Sequence, residues 1–501
     1  MPSQITIVRA GRLLLAVILV LATILLLIQY LHNRSLWLDE AMLALNIIRK
    51  DFGGLLKPLE FTQVAPVLFL WIEKSFTSLL GKTELALRLF PLLCAIASLP
   101  LFYKFSAALT KNKAIALVAL CLIACTPKFV YYSSETKQYA VDVFILTAIY
   151  FSAFGEHAFL NKYRPIILSI TGAIAAFLSN ISVIPLFTVA LYFFYRSFRE
   201  KKDRITIFVP LILWAVCLGA NYFLFIRNHP YAPIMKEYWK DSFMPPNPFH
   251  PPFMQWLNLK ARDVFGTLLP SASLPGAFMP DSYLFMVTLY CASSLSLLLT
   301  KQFRMFYLCL TPLVLHLLLS ALKIYPFDLR LILYLVPLFL LVIANGLYQI
   351  TSILHKWPLA QYALLGLFVT CFLPGIIRAI PIDSEEIRPI ISDINYHIQP
   401  THTVYVYYGS KPAFLYYRET GYAGFGTAKI LFGQSHLNDN EGFLTEFQQV
   451  KGMTWLLFSH VYPFDGSRGE EQYIVKGLMH KGILVKEFQS FGSSAYLFDL
   501  K

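Results

Sequence analysis

The chain has 501 residues, of which 57% are hydrophobic and 14% charged, and its mean hydropathy is +0.57. This excludes an ordinary soluble protein, and repeated apolar runs near the ~20 residues that cross a bilayer imply a polytopic α-helical membrane protein. The net charge of +13 could suggest nucleic acid, but the lysines and arginines fall largely in short loops between apolar runs, where they orient spans, so no nucleic-acid partner is expected.

Taken in chain order, the first apolar run is Leu13 to Leu31, preceded by Arg9 and Arg12. It is long and no small-residue cleavage site follows it, so it reads as a retained span rather than a removable signal peptide. The basic residues put the N-terminus in the cytoplasm. Trp37, Asp39 and Glu40 then emerge on the outer side. Adjacent carboxylates at a span exit are costly near hydrocarbon and invite a functional explanation. Asp39 also reads as a cap of the helix that follows, with Trp37 in the interfacial aromatic belt.

The run Phe61 to Leu80 holds Gln63, Pro66, Glu73 and Lys74, whereas Ala86 to Ala108 is cleaner and leads to Lys111 and Lys113. The charge rule places those lysines inside, which makes Phe61 to Leu80 an interfacial helix rather than a span. With that choice the parity holds through Ala114–Val130, Tyr139–Phe154, Ile166–Leu178, Val183–Tyr195, Ile205–Phe225, Ser282–Leu299, Met305–Leu322, Leu331–Leu347 and Leu359–Ile377. The basic cluster Arg196, Arg199, Lys201, Lys202 and Arg204 then lies inside. The total is about eleven transmembrane helices, with interfacial helices in the first outer loop.

Two parts lie outside the membrane. The outer loop from Arg227 to Asp281 is rich in proline and aromatics, so short helices at the membrane surface are expected. From Ile382 the composition changes, and TVYVYYG, MTWLLFSH and SAYLFDL read as buried strands. Residues 1–380 are thus expected to form the membrane domain and 381–501 a small C-terminal α/β domain outside the cytoplasm. All seven cysteines lie in apolar runs, so no disulfide or cysteine-based metal site is expected in the tail.

The same parity puts Glu135, with Lys137 and Tyr139 beside it, on the outer face with Asp39 and Glu40. Lys240, Lys323, Tyr325, Asp328 and Arg330 emerge there too. Lys137, Lys323 and Arg330 also read as snorkelling residues, and Tyr131, Tyr132, Tyr139, Trp37 and Trp239 as belt residues. His397, His402 and His460 have no metal-ligand spacing. No P-loop, dinucleotide fingerprint, HExxH or GxSxG motif occurs. Carboxylates and cations together at the outer edge of a bilayer suit transfer from a lipid phosphate. A carboxylate deprotonates an acceptor hydroxyl, and basic side chains hold the departing phosphate.

An ordered set of motifs then carries a resemblance. WLDE follows the first span, QVAP opens the interfacial helix, and GKTELALRLF precedes the second span. YSSETKQY, YWKDSFMP and PFDLRLILYLVP continue the series. Together they resemble the bacterial branch of the C-type glycosyltransferases, which is similar to the protein O-mannosyltransferases and the lipid A aminoarabinose transferases. The resemblance spans roughly Arg9 to Ile377. It implies an inverting transfer of a sugar from a polyprenyl-phosphate donor to a lipid, glycan or protein acceptor, in the cell's inner membrane. It further implies that Asp39, with Glu40 its neighbour, and Glu135 are the catalytic acidic positions and that Arg330 lies near the donor phosphate. Glu40, Lys137, Tyr139, Lys240, Tyr325 and Arg330, which the parity argument places on the same outer face, are expected to bind substrate. Lys137 stands where relatives often have arginine, and a single Pro66 replaces a common double proline. No metal ligand is assigned, although clustered carboxylates could hold a divalent cation. A transporter or flippase of lipid-linked sugars, or a non-catalytic assembly partner, is the alternative; few midplane charges and no strong internal repeat count against the transporter.

Overall fold

The computed structural model describes residues 4–200, 204–270, 282–436, 441–465 and 468–501. Lys201 and Lys202 of the basic cluster, and residues 271–281 of the expected outer loop, lie outside them.

In chain order the helices are α1 (Gln4–His32), α2 (Leu38–Arg49), α3 (Val67–Leu80), α4 (Glu84–Thr110), α5 (Lys113–Ala124), α6 (Pro127–Tyr132), α7 (Tyr139–Phe154) and α8 (Ala158–Leu178). They continue as α9 (Val183–Glu200), α10 (Arg204–Asn221), α11 (Ala232–Tyr238), α12 (Pro251–Thr267), α13 (Ser282–Leu299), α14 (Phe303–Ala321), α15 (Val336–Thr351), α16 (Pro358–Thr370) and α17 (Leu373–Ala379). The tail adds α18 (Ile387–His397), α19 (Lys411–Glu419), α20 (Gly442–Thr445) and α21 (Glu470–Met479). Its strands are β1 (Thr403–Val406), β2 (Lys429–Phe432), β3 (Gly452–Ser459), β4 (Pro463–Asp465), β5 (Arg468–Gly469), β6 (Gly482–Ser490) and β7 (Ser493–Leu500).

The chain divides into two compact units. The first comprises Met1–Leu31, Val64–Ile72 and Arg88–Pro381; the second comprises His32–Gln63, Glu73–Leu87 and Ile382–Lys501.

The first unit is helical, and the protein is a multi-pass membrane protein. Six helices among the described residues are long and apolar enough to cross a bilayer, or seven spans if the bent pair α7 and α8 counts as one. The expected runs all fall on helical segments, yet fewer pass by length. The helix through Lys113–Ala124 is interrupted before Pro127, and α8 is kinked at Tyr163, just before Pro165. With 14 residues, α3 is too short to cross.

Helix α15 is the unit's centre. Val336 to Leu347 are buried on every side, packed by α5, α13, α14 and α16, as a helix apolar all round must be. Buried residues make up 83% of its apolar stretch against 17% for α1 and α10, whose surfaces are left for lipid. The crossing of α13 and α15 is close because Gly346 has no side chain: a Cβ there would lie 1.7 Å from Ser293 Oγ.

In the second unit the tail forms a five-stranded sheet of order β2-β1-β3-β7-β6, parallel across the first three strands and antiparallel thereafter. Alternation along the strands gives two apolar faces. Tyr405, Leu456, Phe458, Tyr496 and Phe498 form a core with Phe443, Phe447, Ile474 and Leu478. Helix α18, packed on β3, β6 and β7, buries Ile387, Ile390, Ile391 and Ile394, a single stripe at helical spacing. Helix α2 packs against α19 in the same unit.

Glu73 on α3 is fully buried, and neither carboxyl oxygen has a hydrogen-bond partner among the described residues. Burial pushes its carboxyl well above the usual carboxylate range, so it is held neutral.

Two outcomes follow for stability. Gly346→Ala should destabilise the purified protein by about 1–3 kcal/mol through overpacking against Ser293, read as a lower thermal midpoint. Because the folded-state value of Glu73 is raised, its favourable contribution is complete below about pH 4.5 and is lost as pH rises towards the raised value. The thermal midpoint of Glu73→Gln relative to wild type should therefore climb as pH rises above 4.5 in a melting series; a flat difference would contradict the raised carboxyl.

Candidate functional site

In the first unit, acidic, basic and aromatic side chains gather where α6 leads to α7 and α14 leads to α15. Pro127 starts α6, and the helix stops where Ser133 Oγ donates to the Val130 carbonyl at 2.6 Å and Ser134 Oγ to that of Tyr131 at 3.4 Å. The turn that follows buries Glu135 and Lys137. Tyr132 is packed edge-on between Tyr131 and Tyr139, with both ring centroids at 5.1 Å.

The second contributor is the turn KIYPFDLR. His316, fully buried on α14, fixes it: Nε2 donates to the Pro326 carbonyl at 3.1 Å, so Nδ1 accepts from Tyr334 Oη at 3.0 Å. The Phe327 amide donates to the Ser242 carbonyl at 2.9 Å, tying this turn to the proline-rich loop. Asp328 then sits between two cations, with Arg330 Nε at 3.7 Å and Lys260 Nζ at 4.0 Å. Lys260 Nζ also donates to Ser242 Oγ at 3.3 Å. The Arg330 guanidinium lies over the Trp239 ring at 4.6 Å.

The two turns share one electrostatic environment. Burial pushes the Tyr132 phenol up, the charges of Glu135 and Tyr131 add to this, Arg330 opposes it, and Asp328 adds slightly. Two carboxylates, three cations (Lys137, Lys260 and Arg330) and several rings can together bind a phosphate and steer a proton.

In the second unit, Asp39 and Glu40 occupy the first turn of α2, where carboxylates suit the helix dipole. Glu40 is fully buried and paired with the equally buried Arg34 at 2.5 Å, whereas Asp39 is half-exposed. The approach to α2 is held by the tail. Glu386 accepts from the Ser35 amide at 3.0 Å and from Ser35 Oγ at 2.9 Å. Glu385 accepts from the Leu38 amide at 3.3 Å, in place of a cap from Trp37, and is bonded to His460 Nδ1 at 2.6 Å. Tyr417 Oη accepts from the Leu36 amide at 2.8 Å and donates to Glu84 at 3.1 Å. Arg388, paired with Glu84 at 3.2 Å, donates to the Asn33 carbonyl.

The residues expected from the sequence therefore divide. Glu135, Lys137, Tyr139 and Arg330 fall in or beside the first unit's cluster. Tyr325 lies deeper, edge-on to His316 at 5.4 Å. Lys240 faces away, exposed and paired with Glu237 at 2.8 Å, and it is its neighbour Trp239 that meets Arg330. Glu40 is turned inward by Arg34, because a carboxylate with no exposure needs a cation beside it. Lys260 was not anticipated. Its signal was the spacing Trp256, Lys260, Val264, one residue per turn on the buried face of α12. Among the described residues no group of three or more His, Cys, Asp or Glu side chains is arranged to hold a metal ion.

Comparison with known proteins gives three findings. A family model described as dolichyl-phosphate-mannose-protein mannosyltransferase matches residues 64–221. No curated protein matches the sequence. Among solved structures, ArnT from Cupriavidus metallidurans bound to undecaprenyl phosphate has 13% identity and a TM-score of 0.49, over 97% of each chain. The apo oligosaccharyltransferase of Archaeoglobus fulgidus has 11% identity and a TM-score of 0.48, over 96% of this chain and 74% of its own.

Replacing Glu386 by Ala should free the segment before α2. Losing its hydrogen bonds to Ser35 should weaken local protection by about 1–3 kcal/mol, measured as faster hydrogen exchange at residues 33–38 with the β-sheet amides unchanged. Unaltered exchange there would mean that the tail does not hold this segment.

Proposed function

We propose that the protein is a membrane glycosyltransferase that moves a sugar from a polyprenyl-phosphate donor to a hydroxyl acceptor, with inversion, at the outer face of the inner membrane. In this reading the chain crosses about eleven times, with the N-terminus in the cytoplasm and residues 381–501 outside. The observation that carries it is the grouping of Asp328, Arg330, Lys260 and Glu135 with Trp239 and Tyr132 in one electrostatic environment. The similarity of residues 64–221 to the mannosyltransferase family supports the same reaction class.

The roles follow from charge. The half-exposed Asp39 serves as general base: it takes the proton of the acceptor hydroxyl while that oxygen forms its bond to the sugar's anomeric carbon. The bond from that carbon to the phosphate oxygen breaks, its electron pair leaving with polyprenyl phosphate. Arg330 and Lys260 hold the phosphate as its charge grows, since hydrogen bonds between charged partners are about twice as strong as neutral ones. Glu135 and Asp328 keep those cations oriented between turnovers. Glu40 serves the reaction only through Arg34, by fixing the start of α2.

Asp39→Asn should lower transfer from a radiolabelled polyprenyl-phosphate sugar by about 10²–10⁴-fold in purified protein while leaving donor binding intact. Arg330→Ala should weaken donor binding as well. Undiminished product in the Asn variant would remove the proposed base, and transport of the labelled lipid without transfer would favour a flippase.

A further inference from the structure

The helices that carry the Glu135 and Arg330 turns at one end leave a recess at the other. It has a volume of about 420 Å³ and lies where α4 and α13 end, where α5 and α14 begin, and beside the last turns of α15. Helix α14, 19 residues long, runs from this recess to the Asp328 turn, a rise of about 28 Å. The recess is thus separate from the candidate site described above.

Its polar lining is uneven. Asn112 caps α5 through its Oδ1, which accepts from the Ala114 amide at 2.9 Å, and Gln349 accepts from Ser296. Asn345 is different: it is 2% exposed, it lines the recess, and its Nδ2 has no hydrogen-bond partner among the described residues. A buried amide donor left without an acceptor costs about 1–3 kcal/mol, so a group that accepts from it is the expected occupant. Lys301 and Arg304 line the same space, and neither forms an ion pair among the described residues. Glu156, within reach of Arg304's charge, is instead paired with Lys111. The Arg304 guanidinium lies over the rings of Phe154 at 5.1 Å and Tyr192 at 6.0 Å, which fixes its plane and leaves its donor edge to serve an anion.

We propose that this recess binds a phosphate group, held by Lys301, Arg304 and the Asn345 amide. Among the described residues the Asn345 amide lacks an acceptor and the two cations lack a counter-ion, and the ligand that satisfies all three is a compact anion rich in acceptors. The volume suits a phosphate with a small substituent. Basic recesses between membrane helices take lipid headgroups in this way, and a soluble phosphate ester offers the same chemistry. The site is independent of the transferase reading.

The test uses the full-length protein in detergent. Native mass spectrometry would count retained phosphatidylglycerol against phosphatidylcholine, and calorimetric titration would use glycerol 3-phosphate. The paired change Lys301→Gln with Arg304→Gln removes the cations. Asn345→Asp keeps the side-chain shape but turns the donor into an acceptor with negative charge, and its melting midpoint reports whether the fold is kept. Selective retention of phosphatidylglycerol, reduced at least about tenfold in both variants, supports a lipid source. Titration by glycerol 3-phosphate with the same loss supports a soluble one. Equal retention of both lipids with no titration, or binding that survives either substitution in a folded variant, overturns the proposal.

Discussion

The ion pair between Arg34 and Glu40 sets the terms for the start of α2. Both side chains are shut off from solvent and meet at 2.5 Å. Taking one away would strand the other as a buried charge, a loss of about 3–5 kcal/mol. The pair therefore locks the backbone between residues 34 and 40, and that lock distinguishes two neighbouring carboxylates. Successive residues on a helix point about 100° apart. With Glu40 committed to the interior, Asp39 is left at the boundary with solvent, where a carboxylate can exchange protons. Glu385, Glu386, Tyr417 and Arg388 complete the support from the tail's side of the same unit. The tail is thus more than an appended module: part of its surface is side-chain acceptors and donors matched to the backbone of one short segment.

The first unit follows the same logic with other means. Its core is α15, an apolar helix with no exposed face through Val336–Leu347, and the turn before it carries Asp328 and Arg330. A rigid centre gives that turn a fixed base. His316 then sets the position of Pro326, and Ser242 fixes Phe327, so the charged residues project from a segment anchored at both ends. Side chains built on such support need little reordering to meet a ligand.

Much of this architecture was legible in the sequence because hydropathy and charge act over whole segments. The apolar runs, the short α3 and the three strands at TVYVYYG, MTWLLFSH and SAYLFDL all follow from periodicity and length. Strands β2 and β6 were not anticipated. β2 has only four residues at the sheet's edge, and β6 shifts register between Leu484 and Lys486, so the alternation that marks a strand is too short in one and interrupted in the other. Individual side chains were harder. Glu40 and Asp39 are the same kind of residue one position apart, and only the tertiary position of Arg34 separates them. Lys240 and Trp239 exchange importance for a similar reason: which of two adjacent residues faces a cation depends on the path of a proline-rich loop. Lys260 could have been found, since its spacing with Trp256 and Val264 marks the inward face of α12, but a lysine on an apolar stripe is easily read as an interruption.

The stacking of Arg330 on Trp239 bears on hydration. A guanidinium is poorly solvated above and below its plane, and here one of those faces already rests on an indole 4.6 Å away. Water remains chiefly around the rim, where the N–H groups point. An oily chain arriving alongside would therefore strip little solvent from this cation, and the few molecules it displaced would be those that phosphate oxygens replace one for one.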